Sequence, residues 1–285
     1  MTANLQFGLS DEQLKTREIP FKPDLFAGQT VVISGGGGGI GRATAWMFGR
    51  LGANVAICGR DPHKLDETAR PMREAGLTVE SYVCNIRAIE EVEALFRHVA
   101  DRFGGFDSLI NSAGGQYPQP AIDFTPKGWN AVIETNLTGT WYMMQTAARH
   151  WRDQGRPGSI VNVVTVVDRG MPGIAHSCAA RAGVIALSKT VAVEWAPFHI
   201  RTNCIAPGAI DTAGQKVYSE EARQRSARSN PMMRFGDAFD IADAAIYFAG
   251  PSGNFITGET LIVDGGGVLW GEFWVSDKPD YFNVG

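Results

Sequence analysis

From Thr30 onward the chain alternates between two hydrophobic rhythms. Short β-branched runs at 30–34 (TVVIS), 54–58 (NVAIC), 78–84 (TVESYVC), 107–111 (DSLIN), 159–165 (SIVNVVT), 200–206 (IRTNCIA) and 260–264 (TLIVD) are separated by longer stretches with helical apolar spacing. Strands alternating with helices in this way predict βαβ units around a parallel sheet, whose crossover helices cover both faces. Seven strands and at least six helices are expected in one doubly wound α/β domain over residues 28–266. Thr125 ahead of Pro126 sets a cap and a first-turn proline before a long helix over 126–151. Ser10-Asp11-Glu12-Gln13 can form a capping box for a short leading helix. Residues 1–27 and the aromatic-bearing tail 267–285 read as appendages that pack on the domain or on a partner subunit.

Composition narrows the class. A chain of 285 residues that is 44% hydrophobic and 20% charged can bury a core, and it is neither disordered, collagen-like nor coiled coil. A net charge of −4 gives no basic field for nucleic acid. Cys58, Cys84, Cys178 and Cys204 lie far apart with no C-x-x-C pair, which suits reduced thiols rather than disulfides or a zinc site. The opening residues are polar, with Asp11 and Glu12 where a signal peptide would be apolar. No apolar run approaches the roughly 18 residues of a spanning helix, and the terminal Phe282-Asn283-Val284-Gly285 carries no targeting tripeptide. A cytoplasmic protein with no metal, membrane or nucleic-acid partner is expected.

The first chemical signal follows the first strand. Ser34-Gly35-Gly36-Gly37-Gly38-Gly39-Ile40-Gly41 runs straight into a helical stretch at Arg42-Ala43-Thr44. A glycine-lined turn between strand and helix lets backbone N–H groups approach a pyrophosphate at the positive helix end. The second strand closes on Cys58-Gly59-Arg60, with arginine where an NAD site would carry a carboxylate for the ribose hydroxyls. A guanidinium fork suits a 2′-phosphate, which favours NADP(H).

The glycines at 35, 39 and 41 form the pattern [T/S]-G-x-x-x-G-x-G. With Asn111-Ser112-Ala113-Gly114, Asn136, Pro207-Gly208 and Val263-Asp264-Gly265-Gly266 in order, the chain resembles the short-chain dehydrogenase/reductase family. The resemblance implies a Rossmann-type sheet, a homotetramer and a nicotinamide cofactor. That cofactor would be held by Ser34, Gly35, Gly37, Gly38, Gly39, Ile40, Gly41, Arg60, Asn111, Ala113, Gly114, Pro207, Gly208 and Ile210. Asn85 and Ile86 would flank the adenine, Arg181 the nicotinamide ribose and Thr212 the carboxamide. The polar segment 211–235 would be the lid over substrate.

The family's usual engine is a Tyr-x-x-x-Lys pair with a serine and an asparagine. Here Arg181-Ala182-Gly183-Val184 aligns with the family's Lys-Ala-Ala-Val, so Ser177 takes the tyrosine position and Arg181 the lysine position. Thr165 takes the serine position, and Asn136 keeps its identity. A serine hydroxyl is a far weaker acid than tyrosine, whose reference pKa is about 10. Arginine does not readily release a proton. Carbonyl reduction needs an acid at oxygen, whereas reduction of an activated C=C bond needs only donors to hold an enolate oxygen.

The stretches Cys84-Asn85-Ile86-Arg87, Gly128-Trp129-Asn130, 134–140 and 176–184 resemble the peroxisomal trans-2-enoyl-CoA reductases and, more distantly, the 2,4-dienoyl-CoA reductases. The latter carry a tyrosine eleven residues before that serine; this chain has Val166 there. Tyr117 could instead supply a phenol or wall the acyl chain, and His176 could relay a proton or cap a loop. The expected reaction is NADPH-dependent reduction of a trans-2-enoyl thioester, with CoA favoured over carrier protein. A 3-oxoacyl-type carbonyl reductase and a catalytically silent NADP(H)-binding protein are the rivals.

Overall fold

Each β-branched run forms a strand: β1 (Thr30–Ser34), β2 (Asn54–Gly59), β3 (Val79–Val83), β4 (Ser108–Asn111), β5 (Gly158–Val163), β6 (Ile200–Pro207) and β7 (Thr260–Val263). The structure, a computed structural model, describes residues 7–270. All seven strands are parallel in the order β3-β2-β1-β4-β5-β6-β7. The order reverses between β1 and β4, with Ser34 opposite Asn111 in register. In such sheets the crevice beyond the carboxyl ends at this reversal is where ligands bind.

Helices cover both faces, as a parallel sheet requires. On one face α2 (Gly39–Arg50), α3 (Pro62–Glu74) and α9 (Ala238–Ala249) enclose Val31, Ile33, Val55 and Ile57 with Trp46, Met72 and Phe248. On the other, α4 (Ile89–Phe103), α6 (Thr140–Gln154) and α7 (Ala175–Glu194) pack Val32, Leu109 and Ile160 against Phe96, Met143 and Trp151. Full burial of a large apolar side chain is worth about 1.5–3 kcal/mol, so these two layers carry the fold.

One expected helix is broken. α5 begins behind the Thr125 cap but ends at Ile133, and the chain continues as a π-helical turn over Glu134–Gly139 before α6. The wider turn is stabilised from outside: the Asn136 carbonyl accepts from the Thr140 hydroxyl at 3.0 Å and from the Arg181 guanidinium at 3.4 Å. Single π turns inside helices concentrate at functional sites.

The leading helix α1 (Asp11–Thr16) forms with the expected capping box between Ser10 and Gln13. It docks on the domain, burying Leu14 in the α2–α9 core. Arg50 of α2 donates to the Leu14 and Arg17 carbonyls, and Arg17 pairs with Asp237 at 2.5 Å. Ahead of α1, the Phe7 ring receives Lys216 and Arg223 at 5.7 and 5.1 Å from its centre. The segment between β6 and α9 leaves and rejoins the body at a parallel bridge between Ile210 and Gly236, and it carries α8 (Glu220–Ala227). Most of the expected tail, 271–285, lies outside the described residues.

Candidate active site

Backbone close approach builds the glycine loop. Gly35 and Gly36 donate to the Cys58 carbonyl at 2.8 and 3.3 Å, tying the loop to the end of β2. Gly35 sits at φ +73°, and a Cβ there would stand 2.8 Å from the Ala113 nitrogen. A Cβ on Gly41 would strike the Gly35 carbonyl, whereas one on Gly38 would meet nothing within 4 Å. α2 starts behind Gly38 with no side-chain cap, which leaves its first N–H groups to an outside acceptor. Ile40 packs on the core beneath, and Thr212 stands across the loop, 3.5 Å from where Gly39 would carry a Cβ.

Beyond β2, Arg60 is exposed. The neighbouring Asp61 turns away to cap α3, accepting from the His63 and Lys64 nitrogens. Lys64 lies against Gly37, its Cβ 3.2 Å from the position a Gly37 Cβ would take. A second cation beside the loop escapes a reading of motifs because it comes from the next helix. Asn85 accepts from Arg87 through its side chain and donates to Glu91 through its backbone, and Ile86 is buried against Gly139.

A buried polar chain crosses the sheet where the strand order turns. Ser34 donates to Asn111 at 3.4 Å and accepts from the Ala113 nitrogen at 3.3 Å. Asn111 donates to Asn162 at 2.9 Å, and Asn162 donates to Ser188 at 3.0 Å. Each member occupies the next one's lone pair or hydrogen, as burial demands. On the far side Gly208 donates to the Val263 carbonyl, and Ile210 is buried where it bridges to Gly236.

The π turn brings Asn136 to the expected row. Its side-chain amide donates to the Gly115 carbonyl at 2.9 Å and to the Ser177 hydroxyl at 3.3 Å, while its oxygen accepts from the Gly115 nitrogen at 3.0 Å. Ser177 is 1% exposed. Arg181, one turn further along α7, donates to the Asn136 and Ala113 carbonyls at 3.4 and 3.3 Å. Among the described residues no carboxylate pairs with it, and burial lowers its pKa to about 10. It remains charged at neutral pH. Gly114 runs so close that a Cβ there would collide with the guanidinium.

Thr165 is half-buried just past β5 and is bonded to neither Asn136, Ser177 nor Arg181. His176 is fully buried between Phe124 and Tyr117, at ring-centre distances of 4.3 and 4.7 Å. Burial pushes its imidazole below the usual range, against a weaker opposing bond to the Ile174 backbone. Its Nδ1 accepts from the Ser177 nitrogen at 2.7 Å, and its Nε2 has no partner. The Tyr117 ring also meets Phe124 edge-on, and its hydroxyl is packed on Gly128 in the first turn of α5. Two residues outside the expected set join this region: Gln116 donates to the Tyr218 hydroxyl at 2.5 Å. No cluster of metal-ligating side chains and no helix long and apolar enough to cross a membrane occurs among the described residues.

Comparison with known proteins agrees with this architecture. The family described as enoyl-(acyl carrier protein) reductase matches residues 35–267. A probable 2,4-dienoyl-CoA reductase of Bacillus subtilis is 38% identical over 243 residues, 84% of this chain and 96% of its own. Among solved structures, a short-chain dehydrogenase from Bacillus anthracis superposes with a TM-score of 0.82 at 35% identity, covering 87% of this chain and 99% of its own. An actinorhodin polyketide ketoreductase solved with NADPH superposes at 0.81 with 27% identity, covering 87% and 100%.

Proposed function

The chain belongs to the short-chain dehydrogenase/reductase family, and from that premise we propose that it reduces the C=C bond of a trans-2-enoyl thioester with NADPH. The residues fit the cofactor. Gly35 and Gly41 leave no room for side chains where a pyrophosphate would lie, and the uncapped start of α2 offers its N–H groups. Arg60, with Lys64 nearby, supplies charge for a 2′-phosphate. The buried Arg181, lacking a carboxylate, offers donors to the nicotinamide ribose. When bound, NADPH supplies the hydride that the β-carbon of the substrate receives.

One observation carries the choice of reaction: the position next to Asn136 and Arg181 holds a buried serine rather than a phenol. Because Ser177 already accepts from Asn136, its own hydrogen is free to donate. It can hold the acyl oxygen as negative charge gathers there, without surrendering a proton. His176 has an unpartnered Nε2 and a pKa lowered by burial, so as a donor to the α-carbon it would act through the minority of molecules that carry the imidazolium, which solvent would reprotonate. Thr165, at the family's serine position, would complete the row, Tyr117 would wall the acyl group, and Ile86, Asn111, Pro207, Ile210 and Thr212 would frame the cofactor. The similarity to a dienoyl-CoA reductase supports a CoA thioester over a carrier-protein one. A homotetramer in the cytoplasm accompanies this reading.

The likeness to a ketoreductase supports carbonyl reduction as the second reading, and it would need Tyr117 as the acid. Pure protein with NADPH and either crotonyl-CoA or acetoacetyl-CoA, followed by NADPH absorbance, separates them. Oxidation with crotonyl-CoA alone is expected. Oxidation only with acetoacetyl-CoA favours the ketoreductase, and none with either favours a silent cofactor-binding protein.

A further inference from the structure

Two hydroxyl groups near the site share one arrangement. Ser177 accepts from the Asn136 amide at 3.3 Å, and Tyr218 accepts from the Gln116 amide at 2.5 Å. In each case the oxygen's lone pair is taken by an amide N–H, and no acceptor for the hydroxyl hydrogen is found among the described residues. Each is therefore left as a donor. The two amides are tied through one residue, because Asn136 grips both the nitrogen and the carbonyl of Gly115, the residue before Gln116.

Tyr218 lies on the lid, where its direction is fixed on both sides. It follows a short helical turn over Ala213–Val217 that is tied to the lid's base by Gln215 donating to the Ile210 carbonyl at 3.0 Å. It precedes α8, whose cap is Ser219. Its backbone between them is extended, at φ −103° and ψ 150°. The ring is half-buried, and its surroundings include Cys178, the neighbour of Ser177. Burial raises the phenol's pKa, against the pull of the Gln116 bond, so the proton stays on at neutral pH.

We propose that Tyr218 is a second donor to the carbonyl oxygen of the acyl thioester, brought by the lid to face Ser177 across that oxygen. The site then has a phenol, although none stands at the family's tyrosine position. This one arrives with the lid and keeps its proton. The inference rests on the thioester reading above.

The test compares Tyr218→Phe with wild type in turnover and in binding. Turnover of crotonyl-CoA should fall roughly 10²-fold, with NADPH affinity by fluorescence titration unchanged. Calorimetry in the presence of NADP+ should show wild type binding butyryl-CoA about 3- to 10-fold tighter than the thioether S-butyl-CoA, which lacks the carbonyl. Tyr218→Phe should narrow that preference, leaving the share of Ser177. Gln116→Leu, which keeps the phenol but not its support, should lose less turnover than Tyr218→Phe. Wild-type turnover in Tyr218→Phe overturns the role, and so does slowed turnover with the thioester preference intact. A wild-type protein that neither reduces nor prefers acyl thioesters overturns the thioester reading and this role with it.

Discussion

The Asn136 amide reaches the Ser177 hydroxyl across 3.3 Å from within the π-helical turn that interrupts its helix. That contact couples the α5–α6 helix pair to α7 in the floor of the crevice. Ser177→Ala should therefore lower kcat for enoyl thioester by roughly 10²–10³, the loss seen when one oxyanion donor is removed. The NADPH dissociation constant should not move. Arg181→Ala should damage both, and a Ser177→Ala enzyme at full speed would remove the serine from the mechanism.

Arg60 is exposed, and Asp61 beside it is engaged as a helix cap. Arg60→Ala should weaken NADPH by about 1.5–3 kcal/mol, the range for hydrogen bonds to charged groups. NADH affinity should stay within twofold, roughly the scatter of neutral surface changes. Titration of both cofactors against both proteins checks this, and equal losses would refute the phosphate contact.

A side chain at position 41 would run into the Gly35 carbonyl. Gly41→Val should abolish NADPH binding while the far-ultraviolet circular dichroism persists, because the collision displaces the loop and not the sheet. Saturable NADPH binding by this variant would count against the loop.

Two histidines, His176 and His150, have pKa values lowered below 6.5, chiefly by burial. The unfolded chain then binds more protons than the folded one between the lowered values and 6.5. The stability these neutral rings confer is complete above 6.5 and is lost as pH falls through the folded values. Urea unfolding from pH 7.5 down to pH 5.5, approximate limits bracketing the reference imidazole, should show a decline. His176→Leu should flatten part of it, leaving the share of His150.

Asn162 donates to Ser188 and accepts from Asn111, all fully or nearly fully buried. Asn162→Leu strands the Asn111 amide and leaves Ser188 only the Cys204 thiol, and should destabilise the fold by about 1–3 kcal/mol. The urea midpoint should fall at unchanged slope.

The strands were legible because β-branched runs between turn residues have few other uses, and all seven begin within one residue of where the pattern puts them, β5 opening one residue early at Gly158. The break at 134–139 was not legible. Its residues suit a helix, and what holds the π turn is Arg181, forty-five positions away. For the same reason Asn136, Ser177 and Arg181 could be picked out by motif, whereas Asn162 and Ser188 could not. A polar residue inside a strand declares its purpose only when its partners on neighbouring elements are known. Gln116 and Tyr218 are separated by 102 positions and belong to no recurrent pattern.

The contact of Phe7 with Lys216 and Arg223 bears on how the protein should be handled. The ring links the segment ahead of α1, which docks on α2, to the segment between β6 and α9 that carries α8. A tag or reporter fused just ahead of Phe7 is thus attached close to that segment. Under the proposed function, in which residues 211–235 cover the substrate, kinetic constants from such fusions should differ from those of the untagged protein, and a dye tethered there should report the position of that segment.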